Sequence, residues 1–135
     1  MLPFCEEDGV GVISYNPLAG GLLSGKHDAS APPPDGGRFA LGWAGQIYQE
    51  RYWHEPAFQT VEATRKLADQ AGVSLVTLAV GWVLANKAIT APIIGASRPD
   101  QLGASLAAAE FALDADLKRQ LDELTHEYRL GDAAR

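Results

Sequence analysis

The fold of this chain is set above all by the stretch from Gly9 to Lys26, GVGVISYNPLAGGLLSGK. Its apolar run from Val10 to Tyr15 predicts a short buried strand, and Asn16-Pro17 ends that strand because proline cannot donate a hydrogen bond to a ladder. The glycines, serine and lysine that follow form a loop in which backbone N–H groups, a hydroxyl and a cation can face an anion. The sequence therefore predicts a strand that leads into a loop suited to a phosphate-bearing ligand.

A second interpretation of this loop is a nucleoside triphosphate site. Gly20 to Lys26 matches the first seven positions of the phosphate-loop pattern G-x-x-x-x-G-K, and it follows a strand as that motif should. His27, however, replaces the Ser or Thr that would hold Mg²⁺, and a proline-rich stretch follows where a helix should begin. These departures argue against a nucleoside triphosphatase.

Length, charge and cysteine content restrict the class of protein. At 135 residues and 47% apolar, the chain is long enough for one ordinary core and has the composition of a soluble protein. A formal charge of −6 argues against general affinity for nucleic acid or for an anionic membrane. The single cysteine, Cys5, cannot form an internal disulfide and is expected to be a small buried apolar residue. With no signal-peptide pattern and no apolar run of about 18 residues, the sequence indicates a cytoplasmic protein.

Residues 27–54 show neither helical nor alternating periodicity, and their proline and glycine content is typical of a loop. The segment is nevertheless rich in aromatic residues and carries an arginine: Arg38, Phe39, Trp43, Tyr48, Tyr52 and Trp53. A plain disordered linker has few such side chains. We therefore expect a long loop that folds over a bound ligand.

Helical patterns account for much of the remaining chain. Residues 1–8 resemble the end of a helix, and Pro56 can open a helix that Gly72 stops. Ser74 caps the most regular helix, whose apolar face repeats at helical spacing: Leu75, Leu78, Ala79, Trp82 and Val83. A C-terminal helix is expected over residues 114–129, with a frayed end beyond it.

A second strand, interrupted by a proline, is predicted from Ile89 to Ile94. It turns through GASR into a helix with Pro99 at its first position. Free N–H groups at the start of that helix suit a phosphate, and Arg98 adds a bidentate donor. Simple capping by Ser97 would explain most of the same pattern without a ligand. The residues alone leave both interpretations open.

The order strand, long loop, two helices, strand, helix is a βαβα arrangement, which forms a parallel sheet covered by helices. Two strands cannot complete such a sheet, because a parallel pair buries both faces and leaves two unpaired edges. The chain is therefore predicted to be part of a larger α/β fold whose other strands are missing or come from another chain. Both candidate loops would then follow the carboxyl ends of neighbouring strands, the side on which α/β barrels bind phosphates.

Four stretches, in this order, resemble one known family: SYNPLAGGLLSGK, the Arg38-Phe39 pair, VTLAVGWVLANKAITAPIIGASRPDQL and LDADLKRQLDEL. The family is the aldo-keto reductases, and the chain is similar to the branch that includes bacterial reductases and the potassium-channel beta subunits. The resemblance covers nearly the whole chain. It implies an α/β fold that is the C-terminal fragment of a (β/α)₈ TIM barrel, strands seven and eight with their helices, incomplete on its own. It also implies one partial domain over residues 1–135 and NADPH as the cofactor.

The resemblance assigns cofactor-binding roles by position. Tyr15 matches an aromatic residue that stacks on the nicotinamide, and a tyrosine of the core is the plain alternative. The residues that match the pyrophosphate loop and the segment covering the dinucleotide are Asn16, Pro17, Leu18, Gly20, Lys26 and Arg38. Those that match the adenosine end are Gly95, Ser97, Arg98 and Gln101. Ser97 and Arg98 would hold the 2′-phosphate and favour NADPH over NADH, while Ala104 and Ser105, in place of a usual Glu-Asn pair, would weaken the contact with adenine.

The catalytic residues of the family have no match in this chain. In the family an Asp, a Tyr, a Lys and a His reduce the carbonyl, and all four lie on earlier strands. Tyr15 matches a stacking role and is not expected to be the acid. His27, His54 and His126 lack metal-ligand spacing, so each is expected at a solvated loop or helix position and no metal is expected.

Three functions stay open on the sequence. The leading expectation is the NADPH-binding part of an aldo-keto reductase, which would reduce an aldehyde or ketone if another chain supplied the missing strands. The alternative is a non-catalytic truncated homologue that acts as a nucleotide-binding or interaction module. A third is the ordered piece of a proteolysed enzyme.

Overall fold

The computed structural model describes residues 1–129. Its α-helices are α1 (Leu2–Glu7), α2 (Gly42–Tyr52), α3 (Glu55–Gln70), α4 (Leu75–Leu84), α5 (Leu102–Leu106) and α6 (Ala115–Leu124). Its strands are β1 (Ile13–Tyr15) and β2 (Ala91–Ile93), and short 3₁₀ turns span Ala19–Ser24, Arg38–Ala40, Pro99–Gln101, Ala107–Ala109 and His126–Arg129. The frayed end expected from Leu130 onward lies outside the described residues. The order of strands and helices is the predicted βαβα arrangement.

The two strands pair in parallel, as the sequence predicts, with Ser14 opposite Pro92. Each strand is three residues long and shorter than its predicted run. Before the ladder begins, the Val12 N–H donates to Thr90 Oγ1 at 3.0 Å, so a side chain takes the place of a backbone acceptor. Pro92 is tolerated inside β2 because each strand of a two-stranded sheet has an open edge.

One face of this sheet carries exposed apolar side chains. Ile13, Tyr15 and Ile93 are 65%, 73% and 57% exposed, while Ser14 and Pro92, which alternate with them, are half-buried. Apolar side chains on a sheet face require a second layer to cover them. This uncovered face, called here the open sheet face (Ile13, Tyr15 and Ile93), is what an incomplete part of a larger α/β fold presents.

Two clusters of buried side chains hold the described part together. The first joins the glycine loop (residues 16–26), the turn after it, α3 and α4: Leu22, Phe39, Ala57, Phe58, Val61 and Leu75. The second joins α3, α4 and α6: Ala68, Leu78, Leu117 and Leu121. Because fully burying one large apolar side chain contributes about 1.5–3 kcal/mol, these clusters rather than the short sheet carry most of the stability.

The caps confirm where the predicted helices begin. Ser74 and Asp114 each accept a hydrogen bond from the backbone N–H three residues further on, at 3.0 Å and 2.8 Å. Gly72, with φ +69°, follows the end of α3 as predicted. The helix expected over residues 114–129 is shorter in its α-helical part, because α6 ends at Leu124 and a 3₁₀ turn continues the chain.

The loop expected over residues 27–54 is wrong in its second half, where α2 forms an α-helix of 11 residues. Gly45 is the buried residue of α2, and a Cβ there would lie 2.7 Å from the Phe39 carbonyl oxygen. The helix therefore packs through backbone on the preceding turn, and through the half-buried rings of Tyr48 and Tyr52 on the first cluster. A packing surface made of a glycine and two tyrosines leaves no apolar periodicity in the sequence.

Cys5 lies buried in α1, as expected of a small apolar residue. Across residues 1–129, no single helix is long and apolar enough to cross a membrane. Helices α3 and α4 together reach the required length and composition, but the pair is bent by 93°.

Candidate functional site

The carboxyl ends of β1 and β2 lie side by side, with Tyr15 opposite Ile93. The glycine loop follows Tyr15, and the segment from Gly95 to Gln101, called here the second loop, follows β2. The parallel pairing therefore brings both predicted cofactor loops to the same edge of the sheet. Tyr15 is exposed in the part of the chain that the structure describes.

The glycine loop turns through left-handed backbone, which explains its composition. Asn16 and Ala19 have φ of +60° and +49°, and Gly20 and Gly21 follow with +72° and +103°. Glycine adopts such angles at little cost, and asparagine tolerates them better than most residues. A Cβ at Gly20 would also lie 2.6 Å from Cδ1 of Tyr48. The loop and α2 are therefore packed too closely at Gly20 for any side chain.

The backbone donors of the glycine loop do not face outward as the sequence suggested. Hydrogen bonds to acceptors inside the loop are made by the N–H groups of Ala19, Gly20, Gly21, Leu23 and Gly25. The shortest, at 2.7 Å, joins the Gly20 N–H to Asn16 Oδ1, and the Ser24 hydroxyl donates to the Gly21 carbonyl at 2.6 Å. The predicted cradle of bare N–H groups is wrong, and the exposed Lys26 is the cation that the loop offers to an anion.

Helices α2 and α3 hold the glycine loop from outside. Asn16 Nδ2 donates to the Tyr52 hydroxyl oxygen at 3.2 Å, and Arg65 Nη2 donates to the Gly25 carbonyl at 2.8 Å. Sequence reasoning missed both partners. The aromatic content of residues 27–54 was a signal for Tyr52, whereas Arg65 is an ordinary polar position of an amphipathic helix and gives no signal.

Arg38 lies on the ring of Tyr48. Its guanidinium carbon is 5.4 Å from the ring centroid, and Nη1 donates to the Tyr48 hydroxyl oxygen at 3.2 Å. The same ring closes on Gly20. Arg38 and the glycine loop therefore meet at one side chain of α2, which places Lys26 and Arg38 on elements that are packed together.

The second loop is held by its own residues. The Ser97 N–H and hydroxyl both donate to Gln101 Oε1, at 2.9 Å and 3.1 Å. Pro99 is the first residue of a helical turn, as predicted, but that turn is 3₁₀ and the α-helix begins only at Leu102. The capping interpretation of Ser97 is wrong, because Arg98 occupies the cap position and no side chain caps the turn. Since α5 has only 5 residues, its helix dipole adds little to anion binding.

Arg98 already has an anionic partner. Its Nε donates to Asp100 Oδ1 at 3.0 Å and its Nη2 donates to Oδ2 at 3.1 Å. These hydrogen bonds hold the pKa of Asp100 below its usual range. Exposed ion pairs contribute little to stability, so a phosphate can compete with this carboxylate for the guanidinium.

The histidines have three different environments. His54 caps α3 with its side chain, and His126 is exposed. The solvated position expected for His27 is wrong, because its half-buried ring packs among aromatic side chains. Burial, and to a lesser extent the charge of Lys26, lower the pKa of His27. Within residues 1–129 there is no group of three His, Cys, Asp or Glu side chains suited to a metal ion.

The architecture matches part of a solved barrel. The chain aligns over 100% of its length with the structure of a glycerol dehydrogenase from Gluconobacter oxydans, with a TM-score of 0.75, 23% identity and coverage of 39% of that protein. Likeness at this identity concerns the fold alone. The protein therefore has the fold of a partial (β/α)₈ barrel, with two loops at the carboxyl ends of its strands.

The sequence places this partial barrel in a family. The profile of the Aldo/keto reductase family matches residues 1–126, and the chain belongs to that family. It is 34% identical over 124 residues to the uncharacterized oxidoreductase YrpG of Bacillus subtilis, covering 92% of this chain and 35% of that protein. It is 32% identical to a probable voltage-gated potassium channel subunit beta of Arabidopsis thaliana, covering 81% of this chain and 33% of that protein. It is 33% identical to human aflatoxin B1 aldehyde reductase member 4, covering 82% of this chain and 37% of that protein. The chain thus spans about a third of the length of these curated relatives.

Proposed function

We propose that this chain forms the NADPH-binding part of an aldo-keto reductase. The observation that carries the proposal is the parallel pairing that brings exposed Tyr15, the glycine loop and the second loop to one edge of the sheet. Barrels of this kind bind phosphate-bearing ligands at that edge. Membership of the aldo-keto reductase family favours a nicotinamide dinucleotide over an unrelated phosphate.

The glycine loop would bind the nicotinamide and the pyrophosphate. Tyr15 would stack on the nicotinamide, because its ring stands exposed at the end of β1. Asn16, Pro17, Leu18 and Gly20 would shape the adjoining surface. Since the N–H groups of the loop are used internally, charge for the pyrophosphate would come from Lys26 and from Arg38.

The second loop would bind the adenosine end through Gly95, Ser97, Arg98 and Gln101. No heavy atom outside its chain neighbours lies within 4 Å of the point where a Cβ of Gly95 would stand, so this backbone is open to a ligand. Arg98 and the Ser97 hydroxyl would hold the 2′-phosphate. That phosphate would take guanidinium donors now used by Asp100, which makes the carboxylate a competitor of the cofactor.

Bound NADPH would supply a hydride for carbonyl reduction. The proton donor and the pocket for an aldehyde or ketone would belong to the remaining strands of the barrel, because the proposal gives Tyr15 a stacking role. We infer that those strands come from another segment or another chain, and that they would cover Ile13 and Ile93 of the open sheet face while leaving the Tyr15 ring, at the carboxyl end of β1, open to the nicotinamide. A reducing, cytoplasmic location fits the single buried cysteine.

A second candidate function is a non-catalytic nucleotide-binding or interaction module. It is favoured by the similarity to a protein named as a probable voltage-gated potassium channel subunit beta. In that case the two loops would bind nucleotide without turnover in any assembly.

Nucleotide binding by the purified chain tests the cofactor assignment. We expect Arg98→Ala to weaken NADPH at least about tenfold, because a charged hydrogen bond to the 2′-phosphate is lost, and to change NADH affinity by less than about twofold. Arg119→Ala is the matched control, since Arg119 is an exposed arginine of α6 paired with Asp116 and Glu123. Equal losses for NADPH and NADH would contradict the role of Arg98.

Oxidation of NADPH with 4-nitrobenzaldehyde separates the enzyme from the module. Turnover by the 135-residue chain alone would contradict the placing of the catalytic residues elsewhere. Turnover only with a co-purifying chain supports the enzyme, and nucleotide binding without turnover in that assembly supports the module. Light scattering and intact mass identify the assembly that is assayed.

A further inference from the structure

His27 lies between the glycine loop and the segment that follows it. Its ring centroid is 5.2 Å from that of Phe39 and 5.1 Å from that of Trp53, with interplanar angles of 82° and 67°. Both are edge-to-face contacts, the arrangement that aromatic pairs favour. Phe39 and Trp53 are themselves 4.8 Å apart, so the imidazole completes a cluster of three rings.

This three-ring cluster (His27, Phe39 and Trp53) fixes the backbone that carries both proposed pyrophosphate cations. Lys26 directly precedes His27, and Arg38 directly precedes Phe39. Phe39 is 1% exposed and belongs to the first buried cluster, so its position is firm. The contact of the imidazole with Phe39 therefore sets how Lys26 is held relative to Arg38.

The His27 imidazole has one nitrogen with no partner. Nδ1 is excluded from solvent and has no hydrogen-bond acceptor or donor among the described residues. A neutral imidazole needs to donate from only one nitrogen, whereas an imidazolium donates from both. Protonation would therefore leave a buried donor unsatisfied or force the ring out of the cluster.

The other charged groups near the cluster do not stabilise a protonated His27. Charged or titratable side chains either adjoin the three rings in sequence (Lys26, Asp28, Arg38 and His54) or pack on Phe39 from α2 (Tyr48). Lys26 acts on His27 with the same sign as a proton would, and Asp28 is bonded within its own turn. Arg38 is held by Tyr48, and His54 caps α3. The site therefore favours the neutral imidazole.

We propose that His27 is a positioning residue that clamps the glycine loop to residues 38–53 when it is neutral and releases them when it is protonated. The clamp itself is a property of the three rings. Its effect on the cofactor rests on the proposed function, because only then do Lys26 and Arg38 hold a pyrophosphate. Mild acid would then weaken cofactor binding through a residue that touches no part of the cofactor.

The direction of the pH effect follows from the lowered pKa of His27. The clamp is at full strength above the ordinary imidazole pKa of 6.5 and is lost as the pH falls from there toward the folded-state pKa. At about pH 5.5, protonation shifts the equilibrium toward the released state by at most about tenfold, since this pH is about one unit below the ordinary pKa of an imidazole. The loss of cofactor affinity is therefore limited to about tenfold.

NMR titration of the full chain tests the clamp without any cofactor. We expect the His27 Cε1–H resonance to titrate below the ordinary imidazole pKa of 6.5, and the Trp53 indole N–H signal to shift along the His27 curve. His27→Phe keeps a ring but cannot titrate, so it should abolish the pH response of Trp53, and His126→Gln should leave it intact. A His27 resonance that titrates at or above pH 6.5, or a Trp53 signal that does not change along the His27 curve, would overturn the proposal. If the variant does not fold, the wild-type curves alone decide the question.

Affinity for NADPH at about pH 7.5 and about pH 5.5 tests the consequence. The wild-type chain should lose up to about tenfold more affinity than His27→Phe, a comparison that cancels titration of the 2′-phosphate itself. Equal losses in the two proteins would overturn the effect on the cofactor. Absence of NADPH binding at about pH 7.5 would contradict the proposed function, while the NMR curves still decide the clamp.

Discussion

The two proposed cofactor loops differ in what holds them. In the glycine loop, Asn16 and Gly25 are bonded to Tyr52 and Arg65, which lie 36 and 40 residues away in the chain. In the second loop, the described side-chain bonds span at most 4 residues, and its charged pair is exposed. The half of the site proposed for the pyrophosphate is thus built before a ligand arrives, whereas the half proposed for the adenosine end is adjustable. Rigid, preformed contacts reduce the ordering cost of binding, so affinity should depend mainly on the first half and cofactor choice on the second.

Gly20→Ala should have the largest effect on stability, because Gly20 is the residue at which the glycine loop packs most closely on α2. The change imposes a left-handed alanine and a Cβ 2.6 Å from Cδ1 of Tyr48, so we expect a loss of about 2–5 kcal/mol of unfolding free energy. Gly36→Ala is the matched control, since Gly36 has φ +74° and nothing within 4 Å of its Cβ position. Gly36→Ala should lose only about 1–2 kcal/mol of unfolding free energy, because it adds the left-handed strain without the contact. Urea denaturation measures both, and equal losses would mean that Tyr48 does not close on Gly20.

Tyr52→Phe should have an intermediate effect. It removes the hydroxyl that accepts from Asn16 Nδ2 and leaves the rest of the ring in place, so we expect a loss of about 0.5–1.5 kcal/mol. Tyr128→Phe removes a hydroxyl 3.1 Å from Thr60 Oγ1 at the surface and should cost less than about 0.5 kcal/mol. If thermal or urea unfolding ranks the two variants in the opposite order, the long-range bond to Asn16 is not what fixes the loop.

Asp100→Asn should have the smallest effect and should act on the adjustable half alone. Removing the carboxylate frees Arg98 and deletes a negative charge beside the proposed 2′-phosphate site, so NADPH should bind about two- to threefold more tightly at low salt. NADH affinity and the unfolding free energy should not change. Asp116→Asn, at an exposed carboxylate of α6 that pairs with Arg119, is the control. Weaker binding of NADPH by Asp100→Asn would show instead that the carboxylate orients Arg98 for the ligand.

Features that depend on neighbouring residues were predictable from the sequence. Ser74 and Asp114 cap their helices, Pro99 begins the turn after β2, and the alternation of strands and helices gives the parallel pairing. The two caps and the turn are decided within a few residues by backbone conformation or by hydrogen bonds to the next turn. The parallel pairing follows from the long helical connection between the two strands, which the order of elements already shows. The family resemblance, which rests on four stretches in order, is confirmed by the profile match over residues 1–126.

Features that depend on the orientation of a side chain and on its hydrogen-bond partner were not predictable from the sequence. The donors of the glycine loop face inward because Asn16 folds back onto the Gly20 N–H, and composition alone does not reveal this. The sequence does not predict helix α2, because its buried residue is Gly45 and it has no apolar periodicity. Asp100 is visible in the sequence two residues after Arg98, yet the sequence does not tell whether it pairs with that arginine or points away. Residue assignments at the cofactor loops stay predictions until ligand binding is measured.

The bond from the Val12 N–H to Thr90 Oγ1 joins residues 78 positions apart. Closing so long a stretch of chain costs entropy that is recovered only after the ends meet, whereas α3 and α4 meet across a short connection. The helical layer should therefore collapse early in folding and the two strands should pair late. Until they pair, the open sheet face is not assembled, so the pairing of β1 with β2 also determines when that face becomes available to the barrel strands that we propose as its partner. The order of folding thus sets the order of assembly.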